Sequence, residues 1–164
     1  MQVATAEAVA FSLIKIKKEN PMIRKLHPSD QTQVANIWLD TNIKAHNFIS
    51  PQYWNANFEP VKEMLLQAEV YIYENEFPNQ IEGFIGLTND YIEGIFVRPQ
   101  SQSHGIGKQL LNFAKELKPQ LTLHVYQKNT HAVNFYQREN FHIQAESTDP
   151  NTGEKEYFMQ WKSS

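Results

Sequence analysis

The chain has 164 residues, no cysteine, 41% hydrophobic and 20% charged residues, and a formal net charge of −3. That length suits one domain with its own core, and the missing cysteines exclude disulfide frameworks, thiolate metal sites and cysteine nucleophiles. The slightly acidic balance argues against nucleic acid as a partner, no apolar run is long enough for a membrane span, and a cysteine-free chain fits a reducing cytoplasm.

Residues 1–21 read as an extension, helical or loose, ahead of a domain over 22–164. Its lysines, Lys15, Lys17 and Lys18, follow the Ala-rich stretch Met1–Leu13, and Glu7 interrupts that stretch; a secretion signal has the opposite order. Met22–Leu26 then reads as a short strand, and Pro28 stands where a first helical residue is tolerated, with Asp30 in the same turn. Val34, Ile37, Trp38 and Thr41 recur at helical spacing, as do Val61, Met64, Leu65 and Ala68. Between these two helices lies a loop, His46–Pro51, followed by Tyr53 and Trp54. Three strands come next, Val70–Glu74, Ile81–Thr88 and Tyr91–Val97, with turns at Phe77-Pro78-Asn79 and Asn89-Asp90.

A helix over residues 103–117 carries Ile106, Leu110, Ala114 and Leu117 on one stripe. Leu121–Tyr126 is a strand, Ala132–Arg138 a short helix, and the strands Phe141–Glu146 and Tyr157–Trp161 flank a hairpin turn at Asp149–Gly153. The order is β-α-α-β-β-β-α-β-α-β-β, a mixed α/β (α+β) fold. Its consecutive middle strands are expected to be antiparallel, and Tyr91–Val97 and Leu121–Tyr126 to be joined by a parallel crossover.

Chemistry concentrates in Val97–Lys108, which leaves an apolar strand, crosses a polar loop and enters a helix through Gly105 and Gly107. A helix N-terminus offers free backbone N–H groups and a partial positive charge to anions, and glycine lets a ligand come close. The segment is not a Walker A loop, because Gln109 stands where the Ser or Thr should be, nor a dinucleotide fingerprint, because the third glycine is missing. Alone, the two glycines could equally mark a tight strand-to-helix turn.

Gln102-x-x-Gly105-x-Gly107 after a strand ending Phe-Val-Arg-Pro resembles the acetyl-CoA pyrophosphate loop of the GNAT superfamily of N-acetyltransferases. Downstream, Asn129-x-x-Ala132-x-x-Phe135-Tyr136 and Phe141 resemble the second signature of that family. The family has glycine before the closing Phe; here it is Asn140, which also tolerates a left-handed helix end. The resemblance covers residues 22–162, and Tyr91–Val97 together with Phe48, Ile49, Tyr53 and Trp54 is similar to small bacterial acetyltransferases of the YjaB type.

The resemblance implies that acetyl-CoA is the acetyl donor. The N–H groups of Ser103, His104, Gly105, Ile106, Gly107 and Lys108 would cradle its pyrophosphate, with Gln102 in the same motif. The main chain of Ile95, Phe96 and Val97 would pair with the pantetheine arm, in a mostly antiparallel sheet splayed at that point. Asn129, Ala132, Phe135 and Tyr136 would complete the cofactor site. Lys108 is as readily a solvated helix side chain, and Phe135 as readily core. The resemblance makes Tyr136 the general acid beside the thioester sulfur, with Tyr126 the fallback, and His46, Phe48 and Tyr53 acceptor contacts, with Trp54 a candidate that could equally be packing.

For the base, Glu93 stands two and four residues before Ile95 and Val97 in an apolar strand; a period of two puts it on their face, where its carboxyl should be raised and could relay a proton through water. An edge or ion-paired glutamate is the equal alternative. The six histidines have no ligand spacing, so no metal is expected. The function implied is direct transfer, in a ternary complex, from acetyl-CoA to a primary amine, a protein lysine or N-terminal amine. A small amine (aminoglycoside, polyamine or amino acid) as acceptor, a non-catalytic acyl-CoA-binding regulatory module and a nucleotide binder are the alternatives, for a monomer or a homodimer.

Overall fold

In the computed structural model, residues 22–75 and 80–164 are described. The extension 1–21 and the turn at Phe77-Pro78-Asn79 lie outside them. The chain begins with strand β1 (Met22–Lys25), a 3-10 turn over Pro28–Asp30 and helix α1 (Gln31–Ala45). Asp30 accepts from the backbone N of His27 at 2.8 Å and from Arg24 at 2.7 Å, which ties the turn to β1.

The sequence leads one to expect two helices before the first long strand; the chain forms three. Helix α2 (Pro51–Ala56) contains Tyr53 and Trp54, and α3 (Phe58–Met64) ends before Ala68. The start of α2 has a local cause: Pro51 takes the first helical position, and Ser50 accepts from Gln52 N at 3.3 Å as its cap. Strands β2 (Glu69–Asn75), β3 (Gln80–Thr88) and β4 (Tyr91–Val97) follow, then a 3-10 turn over Pro99–Ser101 and helix α4 (Ile106–Leu117). This helix starts later than the expected 103 because Ser103 and Gly105 have φ of 65° and 82°, outside helical space. Strand β5 (Gln120–Tyr126), helix α5 (Thr130–Arg138) and strands β6 (His142–Thr148) and β7 (Lys155–Lys162) complete the chain. At the end of α5, Asn140 has φ 67°, the left-handed conformation that its place in the motif asks of it.

The sheet order is β1-β2-β3-β4-β5-β7-β6. Every neighbouring pair is antiparallel except β4 and β5, which α4 joins as a parallel crossover. Helices α4 and α5 cover one face, where Leu110, Leu111, Ala114 and Val133 pack on Ile85, Leu87, Ile92, Leu121 and Leu123. On the other face Val34, Ala35 and Ile37 of α1 pack on Val70, Ile72, Ile81 and Phe84. Burying each of these larger side chains contributes roughly 1.5–3 kcal/mol, and the alanines less, which holds the two layers of helix to the sheet between them. Among the described residues no helix is long and apolar enough to cross a membrane.

The feature that matters for function is where β4 leaves β5. The two pair only at Tyr91 with Thr122 and Ile92 with Leu123. Just beyond, Gly86 of β3 faces Gly94 but Leu87 faces Ile92, so Glu93 is an extra residue with no partner, a β-bulge that bends β4. From there β4 keeps its bonds to β3, β5 keeps its bonds to β7, and the strands part.

Candidate functional site

The parting of the strands opens a cavity of about 1090 Å³. Ile95, Phe96 and Val97 form one wall, and Asn129, Ala132, Phe135 and Tyr136 the other. The loop from Ser101 to Lys108 closes one end, and the last turn of α1 with His46 the other. Of the cofactor residues expected from sequence, Ile95, Phe96, Val97, Gln102, Ser103, Gly105, Ile106, Gly107, Lys108, Asn129, Ala132, Phe135 and Tyr136 all border this space. His104 does not: its side chain is exposed, and its Nδ1 lies 3.2 Å from the Ser101 carbonyl.

Each wall has a distinct chemistry. On its β5 side, the main chain of Ile95–Val97 lacks a strand partner, so it offers N–H and C=O groups to an extended ligand. Gln102 uses one of these groups, its Nε2 donating to the Val97 carbonyl at 3.0 Å. At the α4 end, the first backbone bond within the helix is Gln109 N to Gly105 O at 3.1 Å, which leaves the N–H groups of Ile106, Gly107 and Lys108 for an anion. Lys108 pairs with Glu139, the residue just after α5, across the mouth, at 3.7 Å, with most of its side chain in solvent. Attraction at that distance and exposure is worth little.

Tyr136 is 7% exposed and packed edge-on against Phe135 and Phe141, with centroids 5.2 and 5.5 Å away. Burial raises its phenol well above the ordinary range, so the hydroxyl keeps its proton at neutral pH. Tyr126 is placed differently. It does not border the cavity; its hydroxyl donates to Asp149 at 2.5 Å, and burial and that bond together raise it.

Glu93 does not sit as the period of two suggests. A Cβ on Gly86 would lie 3.7 Å from the Glu93 Cβ, and Gly86 shares the α1-facing side of β3 with Phe84. Ile95 and Val97 pack against the α4 and α5 layer instead. The bulge has moved Glu93 to the opposite face, and its side chain is exposed rather than enclosed by apolar neighbours.

The acceptor candidates come together as an aromatic cluster at the α1 end. His46 stacks on Trp54 at 5.3 Å and meets Phe48 and Tyr126 edge-on at 5.6 and 5.2 Å, and Tyr53 packs edge-on against Trp54 at 5.0 Å. His46 borders the cavity; Phe48 and Tyr53 stand outside it. The ammonium of Lys128 lies 5.3 Å from the Phe48 ring centre and 2.9 Å from Glu154, with most of its side chain in solvent.

A contact between residues 83 apart joins this cluster to α5. Asn129 caps α5, its Oδ1 accepting from Ala132 N at 3.2 Å, and its Nδ2 donates to His46 Nε2 at 3.1 Å. With Nε2 accepting, a neutral imidazole carries its proton on Nδ1, a buried atom with no hydrogen-bond partner among the described residues. No sequence signal pointed to that pair. Thr41 and Asn42, which also border the cavity, did leave one: they are polar positions buried on an otherwise apolar helix face.

Burial pulls the His46 imidazole down to about 4, against a lesser upward pull from the Asn42 backbone. An unfolded chain, with histidine near 6.5, binds more protons than the folded one between those values, so stability falls as pH drops from 6.5 towards 4. Replacing His46 by Gln should flatten this part of the pH profile of the unfolding midpoint. An unchanged slope would mean that His46 is open to water.

A family model described as an acetyltransferase (GNAT) domain matches residues 67–143. The chain is 31% identical over 142 residues to the peptidyl-lysine N-acetyltransferase YiaC of Escherichia coli K12, covering 85% of this chain and 96% of that one. It is similar in fold to the apo form of YjaB from Escherichia coli, with TM-score 0.78 and 24% identity over 88% of this chain and 99% of that one. The paiA N-acetyltransferase of Thermoplasma acidophilum, solved in complex with coenzyme A, matches with TM-score 0.72 and 18% identity, over 88% of this chain and 99% of that one.

Proposed function

The chain belongs to the GNAT acetyltransferases, and from that premise we propose that it moves the acetyl group of acetyl-CoA to the side-chain amine of a lysine in a protein or peptide. The observation that carries the reading is the parting of β4 from β5 beside the free N-terminus of α4. That geometry offers an unpaired strand edge for the amides of the pantetheine arm and N–H groups for the pyrophosphate, and it leads the thioester towards Tyr136.

In a ternary complex the neutral amine attacks the thioester carbonyl, the new C–N bond forms, and the C–S bond breaks. The Tyr136 hydroxyl gives its proton to the departing thiolate and is recharged from solvent. Before attack the ammonium loses one proton through water to Glu93, whose exposure on the α1 side of the sheet suits a relay rather than direct contact, and the nitrogen gives its second proton to solvent as the tetrahedral intermediate collapses. Support for lysine as acceptor comes from the YiaC relative, named for that activity.

The test offers three acceptors at equal concentration with acetyl-CoA: an N-terminally blocked lysine peptide, the same peptide with a free N-terminus and arginine for lysine, and spermidine. Release of CoA thiol and the mass of each product are read. The lysine peptide should lead in kcat/KM by about tenfold or more, roughly the discrimination a shaped pocket gives. A lead for spermidine or for the α-amine overturns the lysine assignment.

A further inference from the structure

Strand β3 carries a buried carboxyl group that the transfer chemistry does not use. Glu82 is 7% exposed, and among the described residues no lysine or arginine forms an ion pair with it. It sits on a second bulge: Gly83 faces Tyr73 and Ile81 faces Glu74, which leaves Glu82 without a partner in β2. Burying a carboxyl without a cation is unfavourable, so its place needs a reason.

Its hydrogen bonds supply one. Ser101 Oγ donates to Glu82 Oε2, and Asn75 Nδ2 donates to Oε1 at 3.3 Å. The Glu82 backbone carbonyl accepts from Arg98 N at 2.8 Å, and Arg98 Nε donates to the neighbouring Ile81 carbonyl at 2.7 Å. Glu82 thus grips both sides of the Pro99–Ser101 turn, the residue that enters it and the residue that ends it. Ser101 borders the cavity, and the loop that leads to the free N–H groups of α4 starts there. A loop ordered before binding loses less conformational freedom when its ligand arrives.

We propose that Glu82 is a positioning residue for the donor: through Ser101 it holds the turn in place, so that the loop meets the pyrophosphate of acetyl-CoA already shaped. This rests on the reading of that loop as the pyrophosphate site. A residue that only packs β3 would affect any donor alike, whereas one that acts through the loop affects only donors that carry a pyrophosphate.

Glu82→Gln, Ser101→Ala and the double variant are therefore compared with acetyl-CoA and with S-acetylpantetheine, which lacks the pyrophosphate and nucleotide. Each single variant should raise KM for acetyl-CoA about tenfold, and the double variant no further, because the two residues act as one unit. Turnover at saturating acetyl-CoA and KM for S-acetylpantetheine should stay at wild-type values. Equal rises in both KM values, or additive effects, overturn the proposal. If wild type itself shows the same KM for both donors, the pyrophosphate reading of the loop fails, an outcome visible without any variant. Should Glu82→Gln not fold, Ser101→Ala alone still separates a rise confined to acetyl-CoA, as expected, from equal rises with both donors, which overturn the proposal.

Discussion

Replacing Tyr136 by phenylalanine should lower kcat by roughly a hundredfold, the low end of what a positioned acid contributes, with KM for acetyl-CoA nearly unchanged. The ring is fixed by its neighbours, not by its hydroxyl: it is 7% exposed, wedged edge-on against Phe135 and Phe141, and no described residue hydrogen-bonds its oxygen. Phenylalanine therefore keeps the packing and removes only the proton. Because burial holds the phenol far above neutral pH, wild-type turnover should show no loss from Tyr136 ionisation across the physiological range. Steady-state kinetics with both substrates varied gives the two constants separately. A variant with wild-type kcat would reduce Tyr136 to core packing. The acid would then have to be sought elsewhere, and Tyr126, already bonded to Asp149 and outside the cavity, is poorly placed for it.

The parts of this site that could be read from sequence are those built within a few residues. Gly105 with φ 82° at the start of α4 and Asn140 with φ 67° after α5 are local backbone requirements, and local residue choice reveals them. The Ser50-Pro51 start of α2 is just as local, yet the sequence reading puts both residues in a loop and expects no helix after them. What stayed hidden depends on pairing between distant strands. A period of two assumes an unbroken ladder, and one extra residue reverses the face of everything on one side of it. Glu93 was misplaced for that reason, and nothing in the chain around Glu82 marks the second bulge that puts it behind the loop. His104 shows the complementary limit. A loop motif fixes where the backbone goes, yet the His104 side chain turns outward.

Gly107→Glu should abolish the stabilisation of the fold by acetyl-CoA without unfolding the protein. A Cβ at Gly107 would find Phe135 Cζ at 3.7 Å and the Cγ2 atoms of Ile95 and Val97 at 3.9 Å, ordinary contact distances that require no backbone shift. All three neighbours border the cavity, so a longer side chain there grows into the space between β4 and α5 that the donor has to occupy. Its carboxylate would also oppose an anion at the three free N–H groups of α4. For wild type, acetyl-CoA at about 100 times its dissociation constant adds about 2.7 kcal/mol, a rise in unfolding midpoint of roughly 5–11 °C for a chain of this size. The variant should melt near the unliganded wild type and show no rise, while Gly107→Ala, whose methyl group fits, should keep most of it. ATP with magnesium should move neither, since Gln109 stands where a Walker A loop needs a hydroxyl. A Glu variant that still responds to acetyl-CoA would mean that the donor bypasses the first turn of α4. The parting of the strands would then need another occupant.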